Sequence, residues 1–465
     1  MNGNPEFRRN LWIQFSSTRV LVVSMLTGLL LFCAIALDVA LTAQTKFVPE
    51  IVSYVARWLA TVIVIFWAGY QAAGAVVREI RNRTWDAQRL STLHPWSMAW
   101  GKLFGVTSLA WTMALISGVV YAAAAAYIVY AVAESNVVPR PGIVVTLGVT
   151  FGYGIVCQAT GLLVSLARLS GRPGERAGGT MAAHVVALLA IAVLAAFATW
   201  PLENEGRWYG LRLGEPALRL VTIWFFALWA IVGVYRRMRR ELQMRSAPWV
   251  WLLFLTTLVF YGEGLVYGRG QPEAALLLPT AILILMLWTM TLVEAKDPLT
   301  LRQCLGWFRR REWGTAASLV PLWLVTFLAF AATVMVSIVF ASVNPGLRIV
   351  RIPFLGNADA LLILVAAFLY LARDVLLVQT LTLGRESNLA GVAGACILFF
   401  LYLAVPAVFI AGKQKDLLGV VLPTGQGGWM ICLLPIAAEV IACIVLFAWR
   451  WRVFWRVNAA KAPAA

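Results

Sequence analysis

Charge is scarce in this chain, and negative charge scarcest: 13% of its 465 residues are charged, with 21 acidic against 38 basic. Histidine is scarcer still. There are two, His94 and His184, which excludes a multi-haem or histidine-rich metal centre. The six cysteines, Cys33, Cys157, Cys304, Cys396, Cys432 and Cys443, form no C-x-x-C pair and predict no zinc site. No G-x-x-x-x-G-K-[ST] occurs. Gly101-Lys102-Leu103 and Gly412-Lys413-Gln414 both lack the hydroxyl residue that would hold magnesium, so no nucleotide-hydrolysing centre is expected in this chain. Long polar stretches are missing too. The inner loops reach about 25 residues, below the ~50 that a folded domain needs. No small-residue cleavage site follows the first apolar run, which is expected to be a retained helix.

What is present is mostly apolar. Hydrophobic residues make up 61% of the chain, in continuous runs and not in alternation. A helical span needs ~20 apolar residues. Twelve runs qualify: about 20–42, 52–77, 103–131, 143–167, 181–200, 218–235, 249–267, 275–293, 316–341, 361–381, 390–411 and 429–449. Continuous runs favour helices, which satisfy their own backbone polar groups in lipid, over a barrel. The expected fold is an all-α polytopic membrane protein of about twelve transmembrane helices. With the N-terminus inside, 27 of the 38 Lys and Arg fall on the cytoplasmic side and 11 outside, while the acidic residues split evenly. That bias in positive charge alone follows the positive-inside rule and places both termini in the cytoplasm, in a cytoplasmic (inner) membrane. The net charge of +17 is thereby matched to the lipid bilayer and needs no nucleic-acid partner.

Asn4, Pro5 and Glu6 read as a helix start: a capping type, a first-position proline and an acid at the positive end of the dipole. Phe7, Leu11 and Phe15 then recur every four residues beside Trp12, predicting an amphipathic helix over 1–17 on the inner membrane face. Residues 18–245 hold six spans and close on Arg236-Arg237-Met238-Arg239-Arg240, an anchor for an anionic inner surface. Residues 246–465 hold six more, and a tandem of two six-helix halves is one reading. Either 294–312 or 373–388 can be set against 78–102 in such a repeat, in different registers. The outer segment Pro201 to Pro216 suits short re-entrant or interfacial helices, and Gly384 to Asn388 a polar hinge.

The segment 78–102 exceeds the roughly three to eight residues that join two spans. It runs Arg78-Glu79-Ile80-Arg81-Asn82-Arg83-Thr84-Trp85-Asp86, then Leu90-Ser91-Thr92-Leu93-His94-Pro95, then Gly101-Lys102-Leu103. Pro95 biases His94 away from the helical region and predicts a break there. Glu79, Thr84, Leu90, Pro95, Gly101 and Lys102 together resemble the segment after the second membrane helix in permease subunits of type-two ABC exporters. That family usually has Gly before the Thr and Ser before the Pro, where this chain has Arg83 and His94. More loosely, the resemblance covers residues 1–240. It implies that 78–102 is a coupling segment docking a separate ATP-binding subunit, with Glu79, Arg83, Thr84 and Asp86 at or near the contact and Gly101-Lys102 marking the return to the membrane. Residues 1–17 would be an elbow helix. Cofactors would be absent from this chain, and ATP and magnesium would belong to the partner. One permease chain or a pair could line the pathway.

Glu439 is the one carboxylate at the centre of a clear span, ten residues from both Trp429 and Trp449. A charge there costs roughly 2.5–3.5 kcal/mol on insertion scales, so it predicts an intramembrane polar site or a structural hydrogen bond. Arg373-Asp374 is expected at the interface, at the end of a shortened span. Two other functions remain open on this sequence. A proton-coupled secondary transporter would titrate Glu439, but the Gly-x-x-x-Asp-Arg-x-Gly-Arg type of loop is missing. A membrane assembly protein or lipid-linked glycosyltransferase would favour an outer acidic pair, whereas Asp38 stands alone.

Overall fold

The computed structural model describes all residues except 1–3, 43–47, 92, 133–141, 168–206, 245, 247, 268–271, 295–297, 348, 353–355, 384–389, 413–417, 419, 424–427 and 461–465. The chain is an all-α polytopic membrane protein. Among the described residues ten helices are long and apolar enough to cross a membrane, or eleven if the pair Pro5–Gln14 and Ser17–Cys33, bent by 64°, counts as one span. These ten overlie ten of the runs read from the sequence. The span expected at 181–200 lies outside the described residues, as do His184 and the hinge at 384–388. Along the helices large apolar side chains stay exposed, among them Leu29, Val119, Leu328 and Ile441. Water would penalise such surfaces, but hydrocarbon does not.

Two compact units divide the chain: residues 1–207 with 212–246, and residues 208–211 with 247–465. In the first, α1 (Pro5–Gln14) precedes α2 (Ser17–Thr42). Next, α3 (Val48–Val62) passes through a π-helical turn, Ile63–Trp67, into α4 (Ala68–Ala73) and α5 (Ala75–Arg81). Two short helices follow, α6 (Trp85–Leu90) and α7 (Pro95–Trp100), then a second π-helical turn at Gly101–Gly105. The unit is completed by α8 (Ser108–Val132), α9 (Ile143–Ala167) and α10 (Glu215–Glu241). A buried cluster of Val76, Trp85, Met98, Leu103, Leu162, Leu166, Val234 and Met238 fixes α6 and α7 onto α9 and α10. Met98 and Leu103 are fully buried there, and their close packing holds the two helices in place. The segment 82–100 is therefore seated on the bundle.

The second unit comprises α11 (Trp249–Tyr267), α12 (Pro272–Val293), α13 (Pro298–Arg309), α14 (Trp313–Leu319), α15 (Leu322–Val343) and α16 (Ala360–Thr382). After these, α17 (Ala390–Phe399) turns through Phe400–Ala404 into α18 (Val405–Ala411), and α19 (Gly428–Ala460) ends the described chain. Leu255, Leu283, Leu287, Phe330, Val334, Leu364, Leu371 and Val375 form its core, with α16 the most enclosed helix. Glu294, just past α12, accepts from the backbone N–H groups of Leu322 (3.0 Å) and Trp323 (2.9 Å), capping the start of α15. Part of the segment expected to hold interfacial helices, 207–212, is instead a tight β-hairpin. Its Trp208 and Tyr209 donate to the carbonyls of Tyr261 and Phe260 on α11. The turn between the two strands carries Tyr209 and Gly210, both at positive φ.

Candidate functional site

The 78–102 segment is shaped by two local devices. At the end of α5, Thr84 N–H donates to the Glu79 carbonyl (2.9 Å) and Arg83 N–H to that of Ile80 (3.1 Å), while Arg83 has φ +56°. This is a Schellman stop, which puts its last residue in the left-handed region that favours glycine. Arg83 therefore occupies a position whose backbone suits the glycine that similar segments carry. At the start of α7, the His94 Nδ1 accepts from the Trp96 N–H (3.2 Å), and Pro95 fills the first helical position. His94 thus supplies the N-cap acceptor that serine usually gives.

Between these devices lies a buried ion cluster. The Lys102 side chain is fully buried. Its ammonium donates to Glu6 Oε1 (3.0 Å), Glu79 Oε2 (2.5 Å) and Gln88 Oε1 (2.8 Å), so each of its three N–H groups has an acceptor. The Trp85 ring lies 5.3 Å from the same nitrogen, a cation–π contact. Glu79 Oε1 also accepts from Gln88 Nε2 (2.9 Å) and Arg9 (3.4 Å). Asn10 Nδ2 donates to Glu6 Oε1 (3.0 Å) and to the Gly101 carbonyl (3.3 Å). Two carboxylates are thus balanced by Lys102 and Arg9. Burial alone would raise the Glu6 carboxyl, but the charge and hydrogen bond of Lys102, with Asn10 and Arg9, outweigh it and hold its pKa below the usual value.

This cluster joins α1, α5, α6 and the turn at Gly101–Gly105. The Asn4 side chain caps α1 and also donates to the Ser97 carbonyl (2.7 Å). A Cβ at Gly101 would lie 2.7 Å from Glu6 Cγ, and one at Gly105 2.9 Å from Asn10 Cβ. The two glycines, one turn apart, form the groove in which α1 lies. Helix α1 was expected to lie on the inner membrane face with Phe7, Leu11 and Phe15 on its apolar side; which residues its other side presents to the protein was not read. Its protein-facing side is Glu6, Asn10 and Gln14, which are buried at intervals of four, while Trp12, Ile13 and Phe15 stay exposed. Of the six residues singled out in this segment, the fold brings Glu79, Gly101 and Lys102 together inside the cluster, where their charges are spent internally. Arg83 and Asp86 face outward and Thr84 is half-buried. Arg81, Arg89 and Leu90 share that outward exposure. Glu6, Asn10 and Gln88 were missed by the sequence reading; the spacing of Glu6, Asn10 and Gln14 was the signal available.

The second polar site lies within the second unit. Arg373 NH1 donates to Glu439 Oε2 (2.6 Å), and its Nε and NH2 donate to Asp374 Oδ1 (3.0 and 2.8 Å). Tyr402, from the turn at Phe400–Ala404, accepts from Arg373 (3.0 Å) and donates to Asp374 Oδ2 (2.7 Å). Trp288 Nε1 donates to that same oxygen (3.1 Å). The expectation that Arg373-Asp374 end a shortened span is corrected: α16 runs on to Thr382, and the side chains are 3% and 1% exposed. Adjacent helical side chains diverge by ~100°, but the arginine is long enough to reach back to its neighbour and across to α19. Nothing in the local sequence marked Tyr402 or Trp288 as partners. Among the described residues no group of three or more His, Cys, Asp and Glu is placed to hold a metal ion.

Residues 25–266, more than half of the chain, match the sequence model of a family described as ABC-2 family transporter protein. No curated protein and no solved structure matches.

Proposed function

The chain belongs to the ABC-2 transporter family as a membrane subunit, and from that premise we propose that it forms the translocation pathway of an ATP-driven exporter and docks a separate ATPase on the outward face of α6. The carrying observation is the construction of 78–102. Arg81, Arg83, Asp86, Arg89 and Leu90 are exposed, and Leu90 is 88% exposed at the end of α6. Directly behind them the Lys102 cluster ties α6 to α1 and to the turn that leads into α8. A load placed on α6 is thereby passed to elements of the membrane bundle through charged hydrogen bonds. Glu79 and Lys102 act from behind the contact, as positioning residues. ATP and magnesium belong to the partner, the membrane is the inner one, and both termini are cytoplasmic. The rival proton-coupled reading needs Glu439 as a titrating group, and that carboxylate is held by Arg373.

The test is purification of the chain from its native membrane in mild detergent, followed by ATP photo-labelling of whatever accompanies it. A labelled nucleotide-binding subunit is expected. Charge reversal at Asp86 and Arg89 together should reduce its recovery at least tenfold without changing the amount of the chain in the membrane. Absence of any nucleotide-binding partner with the unmodified chain would refute the docking.

A further inference from the structure

A basic and aromatic surface in the second unit takes no part in the α6 contact proposed above, although 294–312 was also a possible docking segment on the sequence. Residues 298–312 and 449–456 carry seven arginines, Arg302, Arg309, Arg310, Arg311, Arg450, Arg452 and Arg456, against one acid, Glu312. All seven are exposed. The Arg302 guanidinium lies 4.2 Å over the Trp455 ring, linking α13 to the end of α19. Trp451 and Phe454 pack beside Trp455, with ring centres 5.6 and 5.2 Å away. On α13, Arg302 and Arg309 are seven residues apart and so share a face. Leu305 and Phe308 are exposed beside them, 51% and 43%. A helix with apolar and basic side chains exposed together suits the boundary between headgroups and hydrocarbon.

One further observation points to an anion. The Trp455 indole N–H is buried and has no acceptor among the described residues. Buried donors of this kind are ordinarily satisfied. The Arg302 guanidinium lies over the ring, Arg452 and Arg456 are one turn or less away on the same helix, and arginine binds phosphate through two parallel N–H groups. We propose that α13 and the end of α19 form a binding surface for the headgroups of anionic phospholipids, with the phosphate accepting from Arg302 and Trp455 and the remaining arginines steering the lipid.

The probe is phosphatidylglycerol, compared with phosphatidylcholine, titrated onto the full chain in neutral detergent, with bound lipid counted by native mass spectrometry. The expected result is preferential retention of phosphatidylglycerol. The triple variant R309Q/R310Q/R311Q should weaken it about a hundredfold, at roughly fivefold per basic residue near the surface. Arg309→Gln alone, about fivefold, serves if the triple variant does not fold. Trp455→Phe keeps the ring under Arg302, removes only the N–H, and should weaken retention a few-fold. Equal binding of the two lipids, or undiminished retention by the arginine variants, overturns the proposal. Displacement of the lipid by millimolar inorganic phosphate would assign the site to free anions and overturn it too. So would a triple variant that keeps its lipid but loses a nucleotide-binding partner, which would make this face a protein contact.

Discussion

Replacing Lys102 by methionine keeps most of the side-chain volume and removes the charge at the centre of the α1–α6 junction. Three hydrogen bonds disappear, to Glu6, Glu79 and Gln88. Glu6 and Glu79 then share a buried site with only Arg9, whose side chain is 42% exposed, to balance them. Removing one partner of a buried ion pair typically costs ~3–5 kcal/mol, because a charge is left uncompensated. At ~1.4 kcal/mol per decade that is an open population larger by about two to three and a half decades. Hydrogen exchange at the amides of residues 8–15, read by mass spectrometry, measures it directly, since these amides are protected only while α1 is folded in its groove. Lys102→Met should raise their exchange by about two to three and a half decades. The triple variant K102M/E6Q/E79Q, which removes all three charges, should recover most of the loss. Exchange within threefold of the unmodified chain in Lys102→Met would refute the claim that the cluster holds α1 in place.

Arg83→Gly should stabilise the first unit by about 0.5–1 kcal/mol, since it relieves a left-handed residue at some cost in unfolded-state freedom; denaturant unfolding would show it. The Glu6 carboxyl is held below its ordinary value of 4.5, so its contribution is complete above that value and is lost as pH falls through the lower, folded value. Protection of α1 should therefore decline below pH 4.5 and do so less in Glu6→Gln. Gly101→Ala should displace α1, because the new methyl would lie 2.7 Å from Glu6 Cγ, and a cysteine cross-link between positions 4 and 97 would report it. In the second unit, Asp374→Asn should cost ~3–5 kcal/mol by stranding the buried Arg373. Glu439→Gln keeps an acceptor for Arg373 and removes a charge that mid-span hydrocarbon disfavours, so it should cost less than Asp374→Asn. Asp374 takes two of the arginine's donors and Glu439 one, so comparable losses in both would refute Asp374 as the principal counter-ion.

The departures of this chain from the segments it resembles show where local reading succeeds. Arg83 and His94 replace a usual glycine and serine. The backbone still follows the pattern, because the Schellman hydrogen bonds and the His94 cap are made within six residues. The break at Pro95 and the start of α1 at Pro5 were legible for the same reason: capping is a property of adjacent residues. Burial of long-range polar groups was not legible. Glu79 read as a contact residue and Lys102 as the return to the membrane, since a basic stretch of sequence carries no sign of which side chains will find partners 70 or more positions away.

The apolar run lengths determined the class of the molecule, because hydrocarbon demands ~20 residues per helix whatever surrounds it. The tertiary structure decided which polar residues meet. It turned α1 onto its Glu6–Asn10–Gln14 face, because Gly101 and Gly105 leave room there for close approach and Lys102 offers a charge to be satisfied. It likewise brought Arg373, Asp374, Tyr402 and Glu439 together from three helical segments. A buried charge is tolerable only with partners, and those partners are chosen by packing geometry, which the order of residues along a single helix does not contain.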